Sequence, residues 1–378
     1  MTYKPKLYLT SNVFTPEELG SNEKINQEIR KQIKFLWKRL KEISYLKTFK
    51  GRFPNETDIE EEVKDYNPDI IGCHLSHFIS KDILKESNVF AISTSTAGYN
   101  HIQRPEKDNI IITHTPGVLH ETVADYTIAL ILANLRDIVD LHNYVWDGKW
   151  DQKDTWDLDQ NLSSIIKNKI LGIVGMGEIG SELVKRLYPW NIKIYYYDIM
   201  RRNDIEKKYP NLKYKENLET LIQESDIISL HIPLNESTKN LINKNFLKFM
   251  KKDSLLINTA RGGILNLDDL LNMLENNEIQ INFSFDVFPN EPIDPKTLMR
   301  FKKIKELHPN IRMILMPHNA SADADTRGKM DVLFLQDLIK IIESSNIEDL
   351  KNVNIIPEHR KILKEKDWKI QDYWKNKN

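Results

Sequence analysis

The sequence predicts an α/β protein with two domains, each built around a parallel, doubly wound sheet. Its 378 residues exceed the length of one ordinary domain. Short apolar runs alternate with helix-like stretches along most of the chain, and this alternation is typical of β-α-β units. A glycine-rich turn, Gly-x-Gly-x-x-Gly at 175–180, joins an apolar run to a helical pattern near the middle of the chain. Together these observations favour two successive α/β domains.

The first part of the chain contains four apolar runs that predict strands. They lie at 6–13, 69–73, 89–94 and 110–114, and a charged, helix-rich stretch occupies 22–48. A Thr-Pro-Gly turn at 115–117 follows, and it predicts a domain boundary because proline and glycine interrupt regular structure. After the turn, the apolar pattern of residues 121–144 predicts one long helix.

The second part predicts a six-stranded doubly wound sheet. The strands are expected at 170–174, 193–197, 227–230, 254–258, 281–286 and 313–316. The tail begins as an amphipathic helix at residue 329 and ends polar and lysine-rich. The sequence assigns no role to the stretches 20–65 and 346–378.

The glycine motif indicates a dinucleotide site, since each glycine has a distinct physical task. Gly175 makes the tight turn, Gly177 lets the backbone approach a pyrophosphate, and Gly180 lets the helix pack on the strand. The helix start offers free N–H groups and a positive dipole to the phosphates. Asp198 ends the next predicted strand, about 20 residues further on, where a ribose-binding acid is expected.

The same region bears on the choice between NAD and NADP. Asp198 would accept the ribose hydroxyls and repel a 2′-phosphate, which favours NAD. Arg201 and Arg202 follow closely and could accept a 2′-phosphate, so NADP remains an alternative.

Polar side chains suited to hydride transfer follow the later strands. In an open parallel sheet, ligands bind beyond the carboxyl ends of the strands. An arginine can bind a carboxylate and a carbonyl oxygen through its fork, and a histidine can supply a proton. An acid beside the histidine would favour the imidazolium form. The residues that follow these strands include His231, Arg261, Asp286, Glu291 and His318.

Several ordered motifs make the chain resemble the D-isomer-specific 2-hydroxyacid dehydrogenases, from about residue 70 to residue 322. Besides the glycine motif, they are His-x-Pro-Leu at 231–234, Asn-Thr-Ala-Arg-Gly at 258–262, Asp-Val-Phe-x-x-Glu-Pro at 286–292 and Pro-His-x-Ala at 317–320. The resemblance implies two Rossmann-like or flavodoxin-like domains. It places a NAD-binding domain, 119–321, inside a split substrate domain, 1–118 and 322–378.

The resemblance also assigns roles to residues. Arg261 would be the catalytic arginine that binds the substrate, His318 the acid/base, and Glu291 its partner, while Asp286 would lie by the nicotinamide carboxamide. Substrate binding would involve Leu75, Ser76, Ala97, Gly98 and Arg261. Cofactor binding would involve Gly175, Gly177, Glu178, Ile179, Gly180, Asp198, His231, Pro233, Thr238, Thr259, Ala260, Asp286 and Ala320.

The resemblance implies NAD-dependent reduction of a small 2-oxo acid to the D-2-hydroxy acid. The Thr-Pro-Gly-Val-Leu sequence at 115–119 is similar to the glyoxylate/hydroxypyruvate reductase branch. A short D-3-phosphoglycerate dehydrogenase is an alternative, and a non-catalytic NAD(H)-sensing protein of the corepressor kind is an alternative from another class. Members of the family commonly dimerise through the long helix and the following loop, here 121–144 and Trp146, Trp150 and Trp156.

Composition excludes several other classes. The formal net charge is −1 with mixed signs, so we expect no nucleic-acid partner. The single cysteine, Cys73, cannot form an internal disulfide, which fits a cytoplasmic location. No apolar run approaches the length of a membrane helix. The sequence also lacks a tight pattern of metal ligands, and the chemistry needs no metal.

Overall fold

The structure, a computed structural model, describes residues 3–85, 87–104, 109–151, 157–365 and 367–377. The chain forms two compact units. The terminal unit comprises Met1–Leu119 and Ala322–Asn378, and the central unit comprises His120–Ser321. Each unit is an α/β structure with one parallel sheet and helices, so the predicted fold class is confirmed.

The terminal unit has a five-stranded sheet in the order β2-β1-β3-β4-β5, with all neighbours parallel. Its strands are β1 Lys6–Leu9, β2 Tyr45–Thr48, β3 Ile70–Cys73, β4 Ala91–Thr94 and β5 Ile111–Thr113. Its first three helices are α1 Gln27–Ile43, α2 Glu56–Tyr66 and α3 Lys81–Lys85. The buried side chains of α1 recur at helical spacing, at Ile33, Trp37 and Leu40, and turn one face of the helix into the core.

The central unit has a seven-stranded parallel sheet in the order β12-β11-β10-β9-β6-β7-β8. Its strands are β6 Ile170–Val174, β7 Lys193–Tyr197, β8 Leu212–Tyr214, β9 Ile227–Leu230, β10 Leu255–Asn258, β11 Asn282–Phe285 and β12 Met313–Leu315. Its helices are α4 His120–Leu135, α5 Ile138–Trp146, α6 Glu178–Leu187, α7 Asn203–Lys208, α8 Leu218–Glu224, α9 Lys244–Leu247, α10 Leu267–Glu275 and α11 Pro295–Leu307.

Register places the functional loops of the central unit at one edge. Val174 and Asn258 both pair with Leu230, and Phe285 pairs with Asn258 and Leu315. The carboxyl ends of five strands are therefore level. The order of the strands reverses at β6 and β9, where this fold binds ligands.

The structure corrects three expectations about the elements. The prediction of a single helix at 121–144 is wrong, because the segment forms two helices, α4 and α5. Helix α4 ends at Leu135, and Asp137 adopts a left-handed conformation with φ 55° before α5 begins. The strands β2 and β8 were not predicted. Both lie at an edge of their sheet, and the residues of β2 are not fully buried, so neither carries a strong apolar pattern.

The last three helices belong to the terminal unit. They are α12 Ala324–Glu343, α13 Pro357–Ile362 and α14 Lys369–Lys377. We call residues 346–378 the C-terminal extension. Ahead of α13, Ile355 of this extension forms an antiparallel bridge with Thr113, so the extension covers the free edge of β5. In α14, the Tyr373 ring stacks on Phe90 at 4.6 Å between centroids. The tail thus completes the sheet and the core of this unit. No helix in the described ranges is long and apolar enough to cross a membrane.

Candidate active site

The glycine loop between β6 and α6 leaves its backbone open at one position. Gly175 has φ +99°, and a Cβ there would lie 2.5 Å from the His231 carbonyl oxygen. A Cβ at Gly180 would collide with the Gly175 carbonyl oxygen, whereas a Cβ at Gly177 would meet no atom within 4 Å. Gly177 is also the N-cap of α6 and supplies no side-chain cap, so the first N–H groups of the helix can bind a phosphate.

Asp198 is fixed beside this loop. Its carboxylate accepts the Met176 N–H at 2.7 Å and the Met200 N–H at 3.1 Å. A carboxylate has about four acceptor positions, so it can still bind a ribose hydroxyl. The glycine loop and Asp198 therefore fit a dinucleotide.

The two arginines after Asp198 are already paired with acids. Arg201 binds Glu206 at 2.7 Å, and Arg202 binds Asp204 at 2.8 Å. These pairs hold the guanidinium groups that a 2′-phosphate would need, which is consistent with NAD rather than NADP.

His318 and Glu291 form a hydrogen-bonded pair after β12 and β11. His318 Nδ1 lies 2.6 Å from Glu291 Oε2, and Glu291 Oε1 accepts the Phe288 N–H at 2.9 Å. Burial would raise the pKa of Glu291, but the His318 bond, the Phe288 N–H and the charges of His318 and Arg261 together lower it. Glu291 is therefore a stable carboxylate that orients the imidazole of His318.

Arg261 lies on the loop after β10, and its charge acts on Glu291. Its Nη1 donates to the Ala260 carbonyl oxygen at 2.7 Å, and its own carbonyl accepts from Asn258 at 3.0 Å. Burial lowers the pKa of Arg261, and the charge of Glu291 opposes that effect. A Cβ at Gly262 would collide with the Phe288 backbone, so glycine is required for this loop to pack on the loop that carries Glu291. The structure thus brings the three predicted catalytic side chains into one electrostatic group.

Asp286 fixes the loop that carries His318. Its buried carboxylate accepts the N–H groups of Asn319 at 2.6 Å and Ala320 at 2.8 Å, and its carbonyl accepts the His318 N–H. These bonds hold His318 at φ +54°, which is rare for a residue with a side chain. Sequence reasoning placed Asp286 by the nicotinamide. The structure shows in addition that Asp286 holds the His318 loop through hydrogen bonds. Sequence reasoning missed Tyr126 on α4. Burial and the charge of Asp286 raise the pKa of Tyr126 to about 12.

Several predicted cofactor residues form hydrogen bonds with other residues of the central unit. His231 Nε2 lies 2.8 Å from the Ser229 hydroxyl, and burial lowers the pKa of His231 to about 4, so the ring is neutral near pH 7. Thr238 donates to the Pro233 carbonyl at 2.6 Å. Thr259 is buried and hydrogen-bonded to Thr127 of α4 at 3.0 Å, a partner that no local motif signals.

The predicted cofactor residues that remain lie at the same edge. Glu178 is exposed and Ile179 half-buried in the first turn of α6, where helix N–H groups can bind a phosphate. Ala260 is buried between Thr259 and Arg261.

In the terminal unit, two loops begin level with each other, because Cys73 at the end of β3 pairs with Thr94 at the end of β4. Leu75 and Ser76 follow β3, and Ala97 and Gly98 follow β4.

The carbonyl oxygens of the second loop are tied back. His114 Nδ1 lies 2.8 Å from the Ala97 carbonyl, and the Thr96 hydroxyl donates to the Gly98 carbonyl at 2.6 Å. Within the described ranges, the peptide N–H groups of Ala97 and Gly98 make no hydrogen bond. This loop can therefore bind an anion through its backbone.

The histidines next to Leu75 and Ser76 are structural and neutral. The His74 and His77 rings lie 3.8 Å apart, and His77 also lies 2.6 Å from the Thr10 hydroxyl. Burial lowers the pKa of His74 to about 3 and that of His77 to about 4.

One group in the described ranges has the composition of a metal site. His120, Glu121 and Glu182 have ligand atoms within 4.8 Å of one another, although the sequence gave no metal pattern. Lys185 and Arg186 both bind the same Glu182 oxygen. This arrangement is therefore better suited to an ion-pair network than to a metal ion.

The region expected to form a dimer interface is apolar and exposed. No residue of α5 is buried, and Trp146 at its end is 81% exposed. Ile138, Val145 and Trp150 are exposed as well. Trp156 lies outside the described residues.

The seven-stranded fold, the open glycine loop and the Arg261, Glu291 and His318 group define a NAD-binding oxidoreductase. Residues 128–320 match the family model for the D-isomer specific 2-hydroxyacid dehydrogenase, NAD binding domain. The chain belongs to the D-isomer-specific 2-hydroxyacid dehydrogenases, so the predicted family, enzyme class and cofactor are confirmed.

Relatives agree with this assignment, and solved structures share the fold. The chain is 36% identical over 307 residues to a glyoxylate reductase of Thermofilum pendens, covering 80% of this chain and 86% of the relative. It is 30% identical over 357 residues to a glyoxylate reductase of Pyrococcus furiosus, covering 93% and 97%. A glyoxylate reductase from Paecilomyes thermophila has a similar fold, with TM-score 0.73, 24% identity and coverage of 94% of this chain and 99% of that structure. A D-lactate dehydrogenase from Aquifex aeolicus, complexed with NAD and lactic acid, gives TM-score 0.71 at 23% identity, covering 93% and 99%.

Proposed function

We propose that this enzyme uses NADH to reduce glyoxylate to glycolate, or hydroxypyruvate to the D-2-hydroxy acid D-glycerate. The names of the relatives support the substrate class. The observation that carries the proposal is the 2.6 Å contact of His318 with Glu291, on a loop next to that of Arg261. A proton donor, its orienting carboxylate and a carboxylate-binding cation are the groups that reduction of a 2-oxo acid requires.

In this mechanism, each side chain of the group has one role. Arg261 binds the substrate carboxylate and polarises the adjacent carbonyl. A bound NADH would supply the hydride that the carbonyl carbon needs. His318 then gives its Nε2 proton to the carbonyl oxygen, which has taken the electron pair of the C=O π bond, and the imidazole regains a proton from solvent.

Glu291 fixes which nitrogen of His318 acts. Because Nδ1 faces Glu291 Oε2, that nitrogen carries a hydrogen and Nε2 is left to face the substrate. The lowered pKa of Glu291 keeps it ionised, and its charge stabilises the imidazolium from which the proton is given.

The terminal unit would supply substrate recognition. We assign 1–118 and 322–378 as the substrate domain and 119–321 as the NAD-binding domain. The free N–H groups of Ala97 and Gly98 support carboxylate binding by this unit, and Leu75 and Ser76 on the neighbouring loop would contact the substrate.

The apolar surface of α5 and the Trp150 loop supports a homodimer. Exposed Trp146 and Ile138 would be covered by a second copy, since large apolar side chains are enriched at the centre of interfaces. A cytoplasmic location and the lack of a nucleic-acid partner stay predictions.

The test is oxidation of NADH and of NADPH against glyoxylate, hydroxypyruvate, pyruvate, 2-oxoglutarate and phosphohydroxypyruvate. The proposal expects turnover with NADH on glyoxylate or hydroxypyruvate, with chiral analysis of the hydroxypyruvate product showing D-glycerate. Turnover on phosphohydroxypyruvate alone would replace it with the short phosphoglycerate dehydrogenase. Tight NADH binding without turnover on any acid would indicate a sensor.

A further inference from the structure

The C-terminal extension contacts the loop to which substrate binding is assigned. We call residues 95–100 the carboxylate loop, because it contains Ala97 and Gly98. The Tyr99 hydroxyl lies 2.8 Å from Oε2 and 3.0 Å from Oε1 of Glu358, in α13. We propose that Glu358 is a positioning residue that acts through Tyr99 to hold the carboxylate loop in its substrate-binding conformation. This inference rests on the function proposed above.

The bond between Tyr99 and Glu358 joins a neutral phenol to a carboxylate. Burial, followed by the hydrogen bond and charge of Glu358, raises the pKa of Tyr99 to about 12. Despite its partial burial, Glu358 has a lowered pKa, because its own backbone N–H, Tyr99 and Arg104 stabilise the charge. A hydrogen bond of this kind is about twice as strong as one between neutral groups.

The position of Tyr99 transmits this restraint to the atoms that would bind substrate. Tyr99 directly follows Gly98, and its ring meets the His114 ring edge-on at 5.4 Å between centroids. His114 in turn holds the Ala97 carbonyl oxygen at 2.8 Å. Since a carbonyl and the next N–H share one rigid peptide plane, fixing the Ala97 carbonyl also fixes the Gly98 N–H.

The extension is itself firmly held, so it can act as a support. The His114 N–H donates to the Asn354 carbonyl at 3.0 Å, and the Ile356 N–H donates to the Ile112 carbonyl at 3.0 Å. The Asn354 side chain donates to Asp337 of α12 at 2.9 Å. The extension thus braces the carboxylate loop directly through the carboxylate of Glu358, and indirectly through the Asn354 backbone, which binds His114.

The experiment compares Glu358→Ala, Glu358→Gln and Tyr99→Phe with the wild-type enzyme. Releasing Tyr99 should raise KM for the 2-oxo acid about tenfold, the order expected for one lost charge-assisted hydrogen bond. We expect kcat and the Kd for NADH to stay within about twofold of wild type, because His318 is held by Glu291 and the glycine loop by Asp198, both residues of the central unit. Glu358→Gln keeps an acceptor and should recover part of the affinity.

Three further measurements complete the design. Tyr3→Phe is the matched control, since Tyr3 donates to Asp69 at 2.9 Å in the same unit but outside the carboxylate loop, and its KM should equal that of wild type. The double variant Tyr99→Phe/Glu358→Ala should be no worse than either single variant if both act through one bond. Binding of oxalate, an unreactive dicarboxylate, to the NADH-bound enzyme gives a readout that needs no turnover, and its Kd should also rise about tenfold.

The outcomes separate this inference from the proposed function. A wild-type enzyme without 2-oxo acid turnover contradicts the proposed function, and oxalate binding then tests Glu358 alone. If KM and the oxalate Kd are unchanged in Glu358→Ala and Tyr99→Phe, Glu358 is not a positioning residue. A parallel loss of kcat, NADH affinity and Tm would show a general structural role and would also overturn the inference.

Discussion

The carboxyl edges of the two sheets differ in how they present their functional groups. In the central unit, the proposed catalytic groups are side chains, and their supports lie on neighbouring loops: Glu291 is 27 residues from His318. In the terminal unit, backbone N–H groups are presented, and one support, Glu358, lies 259 residues from Tyr99. Side-chain chemistry is visible as motifs in a sequence, whereas a backbone site braced from far along the chain is not.

The largest expected effect concerns the central unit, where the proposed functional groups are side chains. His318→Gln removes the proposed proton donor while keeping a polar side chain, and kcat should fall by about 10² to 10⁴. Glu291→Gln should lose less, about 10- to 100-fold, because the imidazole stays but loses its orienting charge. Steady-state and single-turnover kinetics with NADH measure both. Wild-type kcat in His318→Gln on every 2-oxo acid tried would place the proton donor elsewhere.

Arg261 should give the next effect. Arg261→Ala removes the guanidinium that we propose binds the substrate carboxylate, so KM should rise and kcat should fall, together lowering kcat/KM by about 10³. Arg261→Lys keeps the charge but not the fork and should recover only part of the loss. NADH affinity, measured by fluorescence titration, should stay near that of wild type. An unchanged KM in Arg261→Ala would contradict its role in substrate binding.

This contrast explains how much of the molecule the sequence could predict. The strands other than the edge strands β2 and β8, the glycine loop and the Arg261, Glu291 and His318 group were predictable, because apolar runs and strand-end motifs are local. The break at Asp137 was not, since the apolar pattern continues from α4 into α5 and a single left-handed residue interrupts it. Tyr126, Thr127 and Glu358 were also missed, because each acts through a contact between segments distant in sequence.

The glycine loop offers a paired test of function against packing. Gly177→Ala places a Cβ in open space, so Tm should stay near that of wild type while the Kd for NADH rises about tenfold or more. Gly180→Ala would collide with the Gly175 carbonyl oxygen, and we expect a loss of several degrees in Tm before any effect on binding is considered. Thermal melts and NADH titrations distinguish the two. Equal losses of Tm in both variants would show that Gly177 also has a packing role.

The smallest expected effect compares the buried acids of the two units. Asp286 of the central unit binds two N–H groups, but Asp331 on α12 is fully buried, and neither of its oxygens has a hydrogen-bond partner in the described ranges. Burial holds the pKa of Asp331 well above its usual value. Because the pKa of Asp331 is raised in the folded state, its contribution to stability is fully present only below its unfolded-state pKa, near 4. That contribution is lost as the pH rises through the folded-state pKa.

Asp331→Asn should remove that pH dependence. Between about pH 5 and pH 8, the wild-type Tm should fall relative to that of Asp331→Asn by a few degrees, whereas the two should converge near pH 4. Asp372→Asn is the control, because Asp372 is an exposed acid paired with Lys375, and its variant should follow the wild-type curve. Parallel curves for wild type and Asp331→Asn would show that Asp331 is ionised in the folded protein, and burial without a partner would then not suffice to keep an acid neutral in this core.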